Sequence, residues 1–329
     1  MEITPQVLSP LFLTFEMVFQ RGYNMPPTYW EKIATKANSG SSQNIYPFLG
    51  RTTRFREWLG PRVLEMLEAH GYALKNKTFE DTVGVKREDI EDDQYGVYTP
   101  MFEQLGWDSK VHPDTLVFGE IVKAVANIDA GSPPDDILGY DGKTFFSHEH
   151  PVGLAGKTTA VSNVDDSGSG PFWYLIDASR PIRPFIFQKR REYTMTRMNA
   201  LTDEMVFNEK VFRFGVDCRV NAGFGLWQLC YASNQDLSNP ANYAAAVAAL
   251  RKIKTDAGLP FGSWAGNTGK FLAVPPDLED VARRILNAEF IIGVGAGGPQ
   301  PGVAAGVTSS NIWKSSADLI VSEYLTPLS

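Results

Sequence analysis

Apolar residues along this chain change their spacing several times, and each change marks an element. Near the N-terminus Leu8, Leu11, Phe12, Phe15, Val18 and Phe19 fall on one helical face. Ser9 as a cap and Pro10 in the first turn predict the helix start there, and Gly22 predicts its end. Residues 22–50 keep no period. They carry Pro26-Pro27, a Ser/Gly/Asn stretch over 38–44, and the aromatics Tyr23, Tyr29, Trp30, Tyr46 and Phe48. A loop this long is uncommon inside one compact domain, and so many aromatics must pack on something. The stretch is therefore expected to be an extended arm lying on a neighbouring surface.

Residues 54–87 predict strands and a protruding hairpin. Tyr72 and Leu74 flank one side of a polar Lys75-Asn76-Lys77 turn, and Phe79, Val83 and Val85 the other. The acidic run Glu88-Asp89-Ile90-Glu91-Asp92-Asp93 suits a helix start, where free N–H groups carry partial positive charge. Val97, Met101, Leu105, Leu116, Ile121, Val122 and Val125 then predict a long helix over 95–127, broken or kinked by Pro113. Residues 129–172 are rich in turn formers. Aromatic and β-branched residues predict strands at 172–176, 184–188, 211–220 and 224–231. Asn239-Pro240 opens a helix with Tyr243, Val247, Leu250 and Ile253 on one face, ending at Gly258. A buried strand at 271–274 and a helix opened by Pro275-Pro276-Asp277 complete a helix–strand–helix lobe. A Gly-rich loop fills 293–306, and Leu319-Ile320-Val321 reads as a closing strand. No internal repeat is visible.

Composition narrows the class. A chain of 329 residues, 43% hydrophobic, can build one large domain or two smaller ones. Its net charge of -7 and pI of about 5.3 argue against tight nucleic-acid binding, which needs clustered Lys and Arg. The densest basic run, Lys189-Arg190-Arg191, meets Glu192 at once and reads as a solvated strand edge or turn. Cys218 and Cys230 lie in apolar stretches and read as buried small hydrophobes rather than a disulfide framework. The first residues lack a secretory pattern and no stretch of about 18 apolar residues occurs. A cytoplasm-like compartment and no membrane span are expected.

Site signatures are incomplete. Gly266-Asn267-Thr268-Gly269-Lys270 lacks the earlier glycine and the following Ser or Thr of a phosphate-cradling loop. The glycines of 293–298 run into Pro299 and Pro301, so no helix N-terminus follows to meet a pyrophosphate. His148-Glu149-His150 would put two imidazoles on one strand face, but zinc needs a third ligand, and neither His70 nor His112 lies in a ligand motif. The acidic run at 88–93 lacks the spacing of a calcium loop. No catalytic, cofactor-binding or metal-ligating residue is nominated, and no cofactor is expected. Assembly is the natural use of so many aromatics outside a core.

Six ordered stretches carry a resemblance. They are Arg56-Glu57-Trp58-Leu59-Gly60-Pro61-Arg62, residues 71–80 around Tyr72 and Phe79, residues 85–96, Tyr140-Asp141-Gly142-Lys143-Thr144-Phe145-Phe146 with His150-Pro151, residues 272–279, and Asn311-Ile312-Trp313-Lys314. Together they resemble the Mu-like phage major head subunit family. The resemblance implies an α+β, Hong Kong 97-type capsid fold: an N-terminal arm (1–48) and an extended hairpin, the E-loop (49–92). A spine helix with the start of a peripheral domain (93–150) follows. An axial domain interleaved with peripheral strands (151–310) and a returning C-terminal strand (311–329) complete it. It implies a non-enzymatic shell subunit forming pentamers and hexamers around DNA, with scaffold, portal and decoration proteins as partners. The virion is its place, and the host cytoplasm its site of assembly. Tyr29, Trp30, Arg56, Trp58, Arg62, Tyr72 and Phe79 are the expected inter-subunit contacts. The rival readings are a nanocompartment shell of the same fold, a soluble α/β enzyme, and a tail or connector ring.

Overall fold

The first helix, α1 (Pro5–Tyr23), starts before Ser9, because Leu8 belongs to its buried face and the helix reaches back to include it. A computed structural model describes residues 5–46, 72–92, 95–154, 157–198, 203–256, 258–266, 268–292 and 308–327.

The expected free arm is in its described part built into its own chain. Helix α2 (Trp30–Ile33) leads into β1 (Ala34–Asn38), which pairs in parallel with residues 185–189. The short β2 (Gln43–Ile45) pairs with β3 (Ala73–Lys75). Sheet edges supply the hydrogen bonds that such short pieces cannot make alone.

The expected hairpin around Asn76 is not formed either. β3 and β4 (Lys77–Lys86) do not pair with each other, since β4 finds ten partners in register along residues 211–220. Asn76 is instead a buried crossing point. Its amide donates to Ser39 Oγ and to the Ser41 and Ser42 carbonyls, and its Oδ1 accepts from Gln188.

The acidic run forms its own short helix, α3 (Arg87–Glu91), and the long helix α4 (Thr99–Ala126) starts later than expected. α4 runs through Pro113 as one 28-residue element. A mid-helix proline costs about 3 kcal/mol, but Phe102, Leu105 and Ser109 are buried before it and Val117, Phe118 and Ile121 after it. Packing on both sides holds the helix through the defect. α1 lies against α4 at backbone contact: a Cβ on Gly106 would sit 2.1 Å from the Phe19 carbonyl oxygen.

The strands β5 (His150–Leu154) and β6 (Lys157–Val161) form a ribbon, followed by β7 (Val164–Asp165), β8 (Trp173–Asp177) and β9 (Phe185–Met198). After α5 (Glu204–Glu209) comes β10 (Val211–Phe224), which runs past the predicted end of its strand. β11 (Cys230–Ser233) follows a tight turn at Trp227–Leu229. The helix–strand–helix lobe is present as α6 (Pro240–Lys252), β12 (Lys270–Val274) and α7 (Glu279–Asn287). The Asn239 side chain caps α6, which stops before Gly258; that glycine takes a positive φ in the turn beyond. β13 (Phe290–Ile292) pairs with β14 (Thr308–Ser310), and β15 (Asp318–Val321) closes the chain parallel to β12. Most of the Gly-rich loop lies outside the described residues.

Two sheets organise the whole: β1-β9-β10-β4, and β15-β12-β8-β11-β7. The main core joins the second sheet, α6 and α7 to the near ends of α4, β9 and β10. A smaller core gathers α1, the start of α4 and the far ends of β4 and β10. No helix among the described residues is long and apolar enough to cross a membrane.

Candidate assembly surfaces

Each of the four expected contact residues that lie among the described residues packs within its own chain. Trp30 is 5% exposed, with its ring 4.4 Å from Phe187. Its N–H donates to Asp114 Oδ1 at 2.7 Å, and the Tyr29 N–H donates to the same carboxylate. The Tyr29 ring is half-buried, with the Lys32 ammonium over it. The Tyr72 hydroxyl accepts from the Phe224 N–H at 2.7 Å, and burial pushes its pKa well up. Phe79 is half-buried, edge-on to His112 at 4.5 Å. These four aromatics serve their own chain's packing. Arg56, Trp58 and Arg62 lie outside the described residues.

Other apolar side chains are the ones left in water. Leu13 and Met17, one turn apart, form the outer stripe of α1, with Met17 73% exposed. Phe207 on α5 is 82% exposed and Ile312 76%. The stripe had a signal: Leu13 and Met17 stand opposite the Leu8, Phe12 and Phe19 face. Phe207 had none, for its neighbour Val206 takes the buried place on α5.

The histidines divide rather than converge. His150 is fully buried, stacked on Trp227 at 3.9 Å, with Nδ1 2.6 Å from Asp141 Oδ2. His148, whose side chain is 43% exposed, stands between Ser162 Oγ and Asp166 Oδ1, each at 3.2 Å. The two therefore do not share a face, as a strand through both would require. Ser162, His148 and Asp166 have the composition of a nucleophilic triad, but the serine hydroxyl donates to the Val164 carbonyl at 2.7 Å. Its proton is committed away from the imidazole. Burial raises the pKa of both Cys218 and Cys230, which disfavours the thiolate. Among the described residues no three His, Cys, Asp or Glu side chains cluster as metal ligands.

Quoted stretches of the resemblance have structural duties. The Asn311 amide donates to the Ile285 and Ala288 carbonyls at the end of α7, while its Oδ1 accepts from the Trp313 N–H. Tyr140 accepts from Gln228 at 2.6 Å, and Phe145 stacks on Phe224. Such pins tie distant segments to one fold.

The profile of the family described as Mu-like prophage major head subunit gpT matches residues 8–325. This chain belongs to that family. The major capsid protein of Escherichia phage Mu is 36% identical over 99% of this chain and 100% of its own length. The Mu-like prophage FluMu major head subunit of Haemophilus influenzae is 34% identical over 88% of this chain and 91% of its own. Among solved structures, the procapsid of bacteriophage JBD30 aligns with a TM-score of 0.75 at 35% identity, covering 98% of this chain and 100% of that one. The JBD30 capsid aligns at 0.72 and 25%, covering 99% and 100%. The fold of this Mu-like head subunit is of the Hong Kong 97 capsid type. It is a major head subunit of an icosahedral phage shell.

Proposed function

We propose that copies of this head subunit close into pentameric and hexameric rings, and that these rings tile a shell around DNA. The observation that carries the reading is the end-to-end family match over 8–325. Apolar side chains such as Met17, Phe207 and Ile312, which a single chain leaves in water, support it, since exposed apolar surface marks contact with a partner. In this reading 1–48 is the arm, 49–92 the E-loop region, and α4 the spine within 93–150. The lobe of α6, β12 and α7 is axial, and β15 returns from the C-terminal segment. Arg56, Trp58 and Arg62 reach neighbours from the E-loop region. The arm's described part stays with its own subunit, as β1 and β2 do.

The role is geometric and involves no chemical step. Rings of this kind need head-to-tail interfaces, in which one patch meets a different patch on the next copy. Scaffold, portal and decoration proteins are the further partners, and assembly takes place in the host cytoplasm. An acidic subunit suits a container whose DNA must slide during filling.

Electron microscopy of the expressed chain tests this. Closed icosahedral bodies or five- and six-membered rings are expected; a compact monomer at every concentration would overturn it. Trp58→Ala is expected to cut shell yield while leaving the subunit's melting temperature unchanged. Normal particles from that variant would remove Trp58 from the contact set.

A further inference from the structure

Among the described residues, the sheet β1-β9-β10-β4 has two open edges. On one side β1 covers β9 only as far as Asn38 opposite Lys189. From Arg190 to Met198 no strand lies alongside on that side among the described residues. On the other side β4 is the outermost strand over its whole length among the described residues. At about 3.3 Å per residue both edges run for roughly 30 Å, so they match in length. An open edge offers unpaired backbone N–H and C=O groups to another chain.

Charge tells the two edges apart. Residues 189–198 carry Lys189, Arg190, Arg191 and Arg197 against Glu192 alone. β4 carries Glu80 and Asp81 at its middle against Lys77 and Lys86 at its ends. Several of the other charges are neutralised within the chain: Lys77 turns to Asp136 at 3.7 Å, Arg191 pairs with Asp217, and Lys189 with Glu192. Arg190 and Arg197 are exposed and make no ion pair among the described residues, and the same holds for Glu80 and Asp81. The β9–β10 ladder slips beside Arg190, which has no partner on β10. Bulges of this kind re-aim a side chain.

Charges on edge strands ordinarily keep sheets apart, and one sign on both edges serves that end. Here the signs are opposite. A second copy is repelled when like edges meet and attracted when its basic edge meets an acidic one. We propose that β9 of one subunit, over 190–198, docks along β4 of the next in a charge-matched, head-to-tail contact. The proposal rests on the shell reading above and assigns to it one subunit surface and its polarity. Because unlike patches meet, the contact repeats from copy to copy until a ring closes.

Two double variants test it. Arg190→Glu with Arg197→Glu makes both edges acidic, and Glu80→Lys with Asp81→Lys makes both basic. Each alone is expected to lose shells and rings at about 0.15 M salt, where unscreened contact pairs still count. Mixed in equal amounts, the two should recover six-membered rings, in which the variants alternate and every basic edge meets an acidic one; a five-membered ring cannot alternate, so closed shells are not expected to return. Negative-stain microscopy and sedimentation velocity read the outcome, and thermal unfolding checks each subunit. Either variant assembling alone like the unaltered chain would overturn the contact. So would a mixture that forms no six-membered rings while both variants melt normally. Should a variant unfold, Arg190→Gln with Arg197→Gln replaces it. That variant is expected to raise the concentration needed for assembly about tenfold at low salt and to make no difference near 1 M; equal behaviour at both salts overturns the contact. An unaltered chain that never assembles overturns the shell reading and this contact together, which separates the two failures.

Discussion

The two cores along α4 are built on different rules. The smaller one is centred on aromatic contact: Phe12, Phe15, Phe102 and Phe214 meet with ring centroids 4.3 to 6.3 Å apart. The larger one carries polar side chains inside it, each with named partners. Asp114 holds the Tyr29 and Trp30 N–H groups at the start of α2, Asp177 accepts from the Trp264 N–H, and Gln188 ties β9 to Leu74 and Asn76. Apolar contact is strong but has no direction, whereas a satisfied buried hydrogen bond specifies one arrangement. The larger core is therefore pinned in register. The smaller is an oily seat in which α1 rests, with directional support from the Tyr98 hydroxyl, which donates to Asp89, and from the exposed Arg21–Glu103 pair.

The strongest test of that contrast is Phe214→Ala. Removing a ring that touches three others should cost about 3–5 kcal/mol. Hydrogen exchange should show protection lost across α1 and β4 while β8 and β12 keep theirs. Equal loss in both regions would mean that the cores are one cooperative unit. A smaller effect is expected from Asp114→Ala, which strips the acceptor from two N–H groups, one of them buried. Urea unfolding should show a loss of about 2–3 kcal/mol. Asp114→Asn keeps one acceptor oxygen, and burial disfavours the charged form of the carboxyl, raising its pKa. Its expected cost is under about 1 kcal/mol. An Asn variant as weak as the Ala one would show that the charge, not the acceptor, is the pin.

The smallest effect lies on the seam. Tyr193 packs against both cores, and its hydroxyl is 2.6 Å from His112 Nδ1. Burial lowers the His112 pKa below its ordinary 6.5, so the folded state favours the neutral ring. Facing this ring are Tyr193, Phe79, and beyond them Cys218 and Tyr23 with Lys110 over its face. Stability from the neutral ring is full above that ordinary value. It drains as pH falls from there toward the lowered folded value. Melting temperature should therefore drop between about pH 7 and 5, and His112→Gln should flatten that part of the profile. Unchanged slopes in the variant would remove His112 from the account.

The four expected contact aromatics among the described residues already have partners within their own chain. Tyr29, Trp30, Tyr72 and Phe79 stand out because they are aromatics in segments without a period. Aromatic character says that a side chain will be covered, not by which chain. Trp30 is covered by Phe187, more than 150 positions later, and Tyr72 is bonded to Phe224. Met17 and Phe207 attract less notice in a sequence, yet they are the ones left bare. The hairpin expected around Asn76 gives way for a similar reason. A polar tripeptide between apolar runs reads as a turn unless a distant Gln188 and Ser39 are known to face it.

By itself the sequence determined whatever is settled within a few turns of backbone. That covers the apolar face of α1, the α6–β12–α7 lobe with its Asn239 cap, and the strand pattern of β8 and β10. It also carried the family, because six ordered stretches survive as local patterns. Tertiary structure alone decided that β4 joins β10 instead of β3, that α4 passes through Pro113, and that β1 closes onto β9. Each outcome turns on a comparison between distant partners: ten ladder pairs against three, buried helix faces against one lost hydrogen bond, a paired edge against a solvated one. No local pattern holds both sides of such a comparison.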